Sequence, residues 1–253
     1  MKSNIFAAVV FMVSVSLHAQ SVRDHAYINY MTDPTHYKEK GIGELVAEAR
    51  AMPPGIQEIV VGNGIQLNFT TAPGSFFEVQ AQSNLLPLIK TEISGGTLTV
   101  KLSASLVTDK GILLNVPIGE IRAITAKEGA YVRLSPDLNL KTLRLVMQSG
   151  SDGVCEGQLE NLDCLVMGGS ELTLAGTAAK TDLVVKGGST LSGDSFKTQT
   201  GDITVLGASE CAIGVQETLS ARVETESTLY YYGVPRILSQ ETKLNGKIKK
   251  KHS

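Results

Sequence analysis

Three aspartates recur at nearly even spacing in the second half of this chain. Asp163, Asp182 and Asp202 stand 19 and 20 residues apart. If the segments carrying them lie side by side as strands, their carboxylates stack about 4.8 Å apart along one edge. Two like charges ~4 Å apart repel by roughly 1 kcal/mol in bulk water, and by more where water is partly excluded. Such a column needs relief from solvent, from a nearby lysine, or from a bound cation such as calcium, which takes oxygen ligands. It is also the one set of carboxylates that could serve a polysaccharide-cleaving mechanism, which works with paired acids. The plainer and favoured reading is that each Asp opens a strand at an exposed turn.

Other reactive side chains form no site in sequence. Ser149-Gly150-Ser151-Asp152-Gly153 lacks the first glycine of a nucleophile elbow. His25, His36 and His252 lie outside the repeated region, so a Ser-His-Asp set would have to be assembled from a terminus. No His/Cys spacing suits zinc. Gly187-Gly188-Ser189-Thr190-Leu191-Ser192 departs from the calcium nonapeptide, lacking its later Gly and Asp. Cys155, Cys164 and Cys211 share the inward parity of an apolar pattern and read as core thiols; a Cys155–Cys164 bridge is the alternative. The sequence therefore assigns no catalytic, cofactor-binding or metal-ligating residue.

The elements that place these residues come from a repeat. Ser151, Ser170, Ser189, Ser209 and Ser227 follow one another at steps of 19, 19, 20 and 18 residues. Six residues before each stand Leu145, Cys164, Leu183, Ile203 and Ala221, and four before stand Met147, Val166, Val185, Val205 and Val223. Gly153, Leu172, Leu191, Cys211 and Leu229 follow two after. Equal parity puts all three columns on one strand face. Gly150, Gly168-Gly169, Gly187-Gly188 and Gly207-Ala208 precede the serines as sharp corners. One such unit cannot bury its own apolar face, whereas stacked copies make a continuous core. The expected fold is all-β, a right-handed parallel β-helix with about 19 residues per coil in the second half and less regular coils in the first. The serine hydroxyls should stack as a ladder inside the bend. Outward, Val146, Leu165 and Val184 form an apolar stripe, expected to be covered by first-half strands or by self-association.

The ends read differently. Lys2, the apolar run Ile5–Val15 and Leu17-His18-Ala19 predict a signal peptide over residues 1–19. Residues 20–54 read as an N-terminal extension or linker, with a short helix over Glu44–Met52 stopped by Pro53-Pro54-Gly55. The β-helix spans 55–248, with strands expected at Ile56–Val61, Ile65–Phe69, Phe76–Ala81, Leu88–Ile93, Thr97–Leu102, Ile112–Val116 and Ile121–Ala126. Ile124, Ala126, Ala130, Val132 and Leu134 suggest a further coil cornered at Gly129. Ile237–Ile248 is a polar cap, and residues 249–253 are a basic tail expected to fray.

Several motifs occur in a recognisable order. These are Gly62-Asn63-Gly64-Ile65-Gln66-Leu67-Asn68-Phe69, Leu85-Leu86-Pro87-Leu88-Ile89-Lys90-Thr91-Glu92-Ile93 and Gly96-Thr97-Leu98-Thr99-Val100. The Gly-Gly-Ser and Gly-Ala-Ser corners follow, then Gly233-Val234-Pro235 and Asn245-Gly246-Lys247-Ile248. Over about residues 50–248 the chain resembles the head GIN domain family, a group abundant in Bacteroidetes whose members carry the label of auto-transporter adhesins. The resemblance implies a secreted or envelope-displayed β-helix with no known catalytic residues. Residues 20–49 and the Glu226-Ser227 corner depart from the family pattern.

A formal charge of −2 gives no basic balance of the kind that nucleic-acid binding requires. No stretch is long enough to span a membrane as a helix. The expected protein is exported and periplasmic, surface-bound or extracellular. It is not an enzyme, needs no cofactor, and binds an unknown envelope protein or glycan through its β faces, with self-association through the stripe a further possibility. The competing expectation is a polysaccharide lyase or glycosidase.

Overall fold

The computed structural model describes residues 38–71, 74–135 and 140–252. The expected signal sequence and the extension up to Tyr37 lie outside the described residues. Nineteen strands and one 3-10 turn, Leu86–Leu88, account for the described secondary structure, and no α-helix is among them.

The strands of the front half are short: β1 (Glu39–Lys40), β2 (Leu45–Ala51), β3 (Glu58–Val61), β4 (Gln66–Thr70), β5 (Phe76–Gln82), β6 (Ile89–Ser94), β7 (Thr97–Leu102), β8 (Leu106–Val107) and β9 (Leu113–Pro117). A transition follows through β10 (Ala123–Ala126), β11 (Tyr131–Leu134) and β12 (Thr142–Gln148). Then come four long strands, β13 (Asp152–Met167), β14 (Glu171–Lys186), β15 (Thr190–Leu206) and β16 (Glu210–Glu224), each of which runs through a bend and serves both faces. The chain closes with β17 (Thr228–Tyr232), β18 (Arg236–Lys243) and β19 (Lys247–Lys250). Seventeen strands form one continuous sheet, while β1 pairs only with β8. That sheet curls into a solenoid of about seven turns, about 19 residues apart.

Two rows of strands make up the wall. Row 1, before the serine corner, runs β6–β7–β3–β10–β12, then the second halves of β13 to β16, then β18. Row 2, after the corner, runs β2–β5–β9–β4–β11, then the first halves of β13 to β16, then β17 and β19. Pairing is parallel except at the front margin, where β6–β7, β2–β5 and β5–β9 are antiparallel.

Register brings like residues together. Leu98, Ile59, Ile124, Leu145, Cys164, Leu183, Ile203 and Ala221 occupy one inward column. Val100, Val61, Ala126, Met147, Val166, Val185, Val205 and Val223 occupy the next. All of them are at most 3% exposed. Each fully buried aliphatic side chain is worth about 1.5–3 kcal/mol, so the file of Val166, Val185 and Val205 is a principal source of cohesion between coils. In the last coil these columns change to Gln240 and Thr242, so the stack ends in a polar layer, as a terminal repeat must.

The corners share one backbone solution. Two successive residues take positive φ immediately before the serine position: Ser149-Gly150, Gly168-Gly169, Gly187-Gly188 and Gly207-Ala208. Thr225 and Glu226 hold the same angles, φ 55 and 58, so the corner that departs from the family pattern keeps its shape with non-glycine residues. The serine ladder exists, with its main rung between backbone and hydroxyl. The N–H groups of Ser151, Ser170, Ser189 and Ser209 each donate to the Oγ of the next serine at 3.2 Å. Ser151 Oγ and Ser170 Oγ also approach to 3.4 Å. Ser170 Oγ in turn donates a hydrogen bond to Met167 O at 2.9 Å. These serines are at most 3% exposed, so an N–H left without that acceptor would be costly.

Two expectations change. The helix expected over Glu44–Met52 is strand β2. Leu45, Ala47, Ala49 and Ala51 alternate with Val46, Glu48 and Arg50, a period that suits the open margin of β5. Arg50 fastens this strand by donating Nη1 to Ile89 O at 2.7 Å and Nη2 to Leu86 O at 3.2 Å. The basic tail is also held rather than frayed. Lys249 and Lys250 lie in β19, paired with Tyr230 and Tyr231, and Lys251 N donates to Tyr231 O at 2.9 Å.

Candidate functional site

The aspartate column is real but partly neutralised from within the protein. Arg144, Asp163, Asp182, Asp202 and Ser220 follow one another in register on the outside of row 1. Arg144 Nε lies 3.7 Å from Asp163 and Lys180 Nζ lies 3.0 Å from Asp182. Both pairs are solvent-exposed and contribute little stability, but they spread the charge that a cation would need. Among the described residues no three His, Cys, Asp or Glu side chains are grouped to hold a metal ion.

The serines are structural. Each Oγ is spent inside the corner, and the one described histidine, His252, belongs to the far end of the chain. The three cysteines are free thiols within the core, with no bridge between Cys155 and Cys164. Burial pushes Cys155 up to about 12 and raises Cys164 and Cys211 as well. Thiols held in that form are poor nucleophiles and poor metal ligands.

Val146, Leu165 and Val184 lie side by side on the outside of row 1, each half-buried. The expected cover from first-half strands is absent among the described residues. Strands β3 and β7 join row 1 edge to edge and lengthen it rather than lying over it. Val60 and Thr125 continue the same line towards the front, and Thr204 continues it towards the back. The result is a flat apolar stripe several strands wide, bordered by the Arg144–Asp163 and Lys180–Asp182 pairs.

Row 2 carries a feature that the repeat does not reveal, because it lies across strands with no common period. On its outer face at the front, Gln66 Nε2 donates to Asn68 Oδ1 at 3.2 Å and Asn68 Nδ2 to Asn115 Oδ1 at 3.3 Å. Asn115 Nδ2 then donates to Glu78 Oε1 at 3.1 Å, and Gln80 Nε2 donates to the same carboxylate oxygen. All five side chains are half-buried. Phe76, 59% exposed, stands on the same face of β5, and Tyr131 with Arg133 stacked 6.0 Å over its ring stands on β11. The available signal was alternation: Gln66 and Asn68, and Phe76, Glu78 and Gln80, occupy outward positions of their strands.

Comparison with known proteins places this architecture. A putative adhesin from Bacteroides fragilis NCTC 9343 has the same fold, with a TM-score of 0.75 at 18% identity, covering 84% of this chain and 99% of that one. A putative adhesin from Parabacteroides merdae ATCC 43184 matches with a TM-score of 0.66 at 16% identity, over 84% of this chain and 98% of the other. A protein from Parabacteroides distasonis ATCC 8503, described as a putative lipid binding protein, matches with a TM-score of 0.66 at 15% identity, over 85% and 100%. No curated protein matches the chain in sequence. The family described as "Putative auto-transporter adhesin, head GIN domain" matches residues 56–235, from just before β3 to the closing Gly233-Val234-Pro235 turn, and the chain belongs to that family.

Proposed function

We propose that this protein is an exported, non-catalytic binding module of the cell envelope, a stiff β solenoid that presents a flat outer face to a partner or polymer. The observation that carries the reading is the stripe of Val146, Leu165 and Val184 on strands locked in register, which no described strand covers. Apolar side chains aligned on a rigid sheet lose little conformational entropy on binding, which favours recognition over a large flat area. Membership of a family labelled for adhesion supports the same reading, as do neighbours described as adhesins and, in one case, as lipid binding.

The enzyme alternative fares less well on geometry. In the row of carboxylates that could act on a glycan, Asp163 and Asp182 are paired with Arg144 and Lys180, and both acids are exposed. A general acid for glycoside cleavage needs a sheltered carboxyl with a raised pKa. Protease added to intact expressing cells tests the reading: digestion of the protein from outside, together with intact polysaccharides after incubation, is expected. A protein found only in the cytosol, or release of reducing ends or unsaturated products from a polysaccharide panel, would overturn it.

A further inference from the structure

We propose that the outer face of row 2 at the front of the solenoid is a binding site for a neutral oligosaccharide chain. The site consists of the planar side chains Gln66, Asn68, Asn115, Glu78 and Gln80 between Phe76 and Tyr131. This rests on the binding role proposed above and names the ligand class and the face.

The argument begins with hydrogen-bond capacity. An Asn or Gln amide has two donors and an acceptor oxygen with two lone pairs. In the chain Gln66 to Asn68 to Asn115 to Glu78, each of the two asparagines spends one N–H and one lone pair on its neighbours. Each keeps one of both for a partner. The internal bonds fix which end of each amide is donor and which is acceptor, so the remaining groups form a patterned surface rather than a set of free rotors. Sugar hydroxyls are donors and acceptors at once, and adjacent hydroxyls present both functions side by side. A planar amide or carboxylate meets such a pair with two bonds. Pre-ordering the side chains removes the rotamer entropy that would otherwise oppose a weak, polar ligand.

The aromatic residues complete the match. Phe76 stands two residues before Glu78 on β5, which pairs with Asn115, and Tyr131 stands in register with Gln66, so the two rings stand at opposite sides of the patch. Crossing from β5 to β11 takes three interstrand steps, about 14 Å, which is room for several sugar rings. Rings with one exposed face pack against the apolar face of a pyranose while polar groups read its edge, the usual division of labour in a small-ligand site. Charge selects the class. Glu78 inside the array is offset by Arg133, in register with Asn68, so the patch carries little net charge, while Asp152, Glu171 and Glu210 follow along the same face in register with Gln66. An anionic polymer would be repelled along that direction, and a neutral one would not.

Native gel electrophoresis through soluble neutral polysaccharides (yeast α-mannan, laminarin and xyloglucan), with polygalacturonate as the anionic comparison, tests the site. The expected result is retardation by at least one neutral polymer and none by polygalacturonate. Asn68→Ala/Asn115→Ala, Phe76→Ala and the isosteric Glu78→Gln should each weaken retardation about tenfold while melting like the parent, whereas Leu165→Lys should retain it. Absence of retardation by every neutral polymer, retardation by polygalacturonate alone, or retention in all three front variants overturns the proposal. Loss with Leu165→Lys alone would also overturn it, while leaving the binding role standing with row 1 as its face.

Discussion

From Ser151 to Ser209 the buried N–H at each corner reaches forward to the hydroxyl of the next coil, always at 3.2 Å. In the two front coils that carry Ile65 and Ala130 at the same position, the N–H turns back on its own chain. Ile65 N bonds Gly62 O at 3.3 Å and Ala130 N bonds Lys127 O at 3.1 Å. The corner backbone is otherwise alike, with Asn63-Gly64 and Glu128-Gly129 in the same pair of positive-φ angles. The contrast shows what the serines are for. A corner needs an acceptor for one inward N–H, and it can be local or supplied by the neighbour. When the neighbour supplies it, each coil depends on the next, and coils must superimpose. When it is local, coils are free to vary, and the front half uses that freedom to admit antiparallel strands β2, β5 and β6 and the polar array of row 2.

Breaking the superposition should therefore cost most in the back half. Gly176, at φ 103, would place a Cβ 1.9 Å from Gly157 O of the preceding coil, so Gly176→Ala should cost more than about 4 kcal/mol or prevent folding. Gly64→Ala, whose Cβ would meet no atom within 4 Å, should cost only about 1–2 kcal/mol from its left-handed backbone. Comparable urea midpoints for the two variants would refute dependence of the back coils on one another.

Alkaline stability separates the halves as well, because all three thiols lie behind residue 150. Burial raises their pKa values above the ordinary 9.0, with Cys155 up to about 12. The unfolded chain then releases protons first, so the stabilising difference is whole below pH 9 and is lost as pH rises towards 12. At pH 10 the loss should be about 1.4 kcal/mol per thiol. Melting curves from pH 8 to 10.5 should fall less steeply for Cys211→Ala, and identical slopes would count against buried thiols as the cause.

Ser189→Ala removes the acceptor of the buried Ser170 N–H and should cost about 2 kcal/mol. Amide exchange sharpens the comparison: Ser170 should lose protection in that variant while Ala130, bonded to Lys127, keeps its own. Two changes should stabilise the back half by about 1 kcal/mol each. Thr181→Val deletes a buried hydroxyl that has no hydrogen-bond partner, and Thr225→Gly relieves a β-branched residue at φ 55. A lowered melting temperature for either would contradict its stated cause.

Much of the back half is legible in the chain itself because a solenoid turns one-dimensional spacing into neighbourhood. The serine steps of 19, 19, 20 and 18 residues became hydrogen-bonded rungs, and the three valines at equal offsets became a column. The front half yielded its strands with small errors at their ends, but not their partners. Antiparallel pairing of β5 with β9 and of β2 with β5 leaves no periodic trace, and β2 reads as a helix in sequence because seven residues of Leu, Val, Ala, Glu and Arg suit either state. Local composition cannot choose between them when an open sheet margin is the deciding partner.

By itself the sequence determined the coil length, the inward columns, the place of each corner and the parity of every outward residue, since all of these follow from strand alternation and a fixed period. Only the tertiary structure decided which outward residues meet. Asp163 and Asp182 acquired basic neighbours, no described strand lies over the row 1 stripe, and Gln66, Asn68, Asn115, Glu78 and Gln80 came together from three strands. The reason is that contacts along a repeat are set by spacing, whereas contacts between non-repeating strands are set by which edges happen to be free when the chain closes on itself.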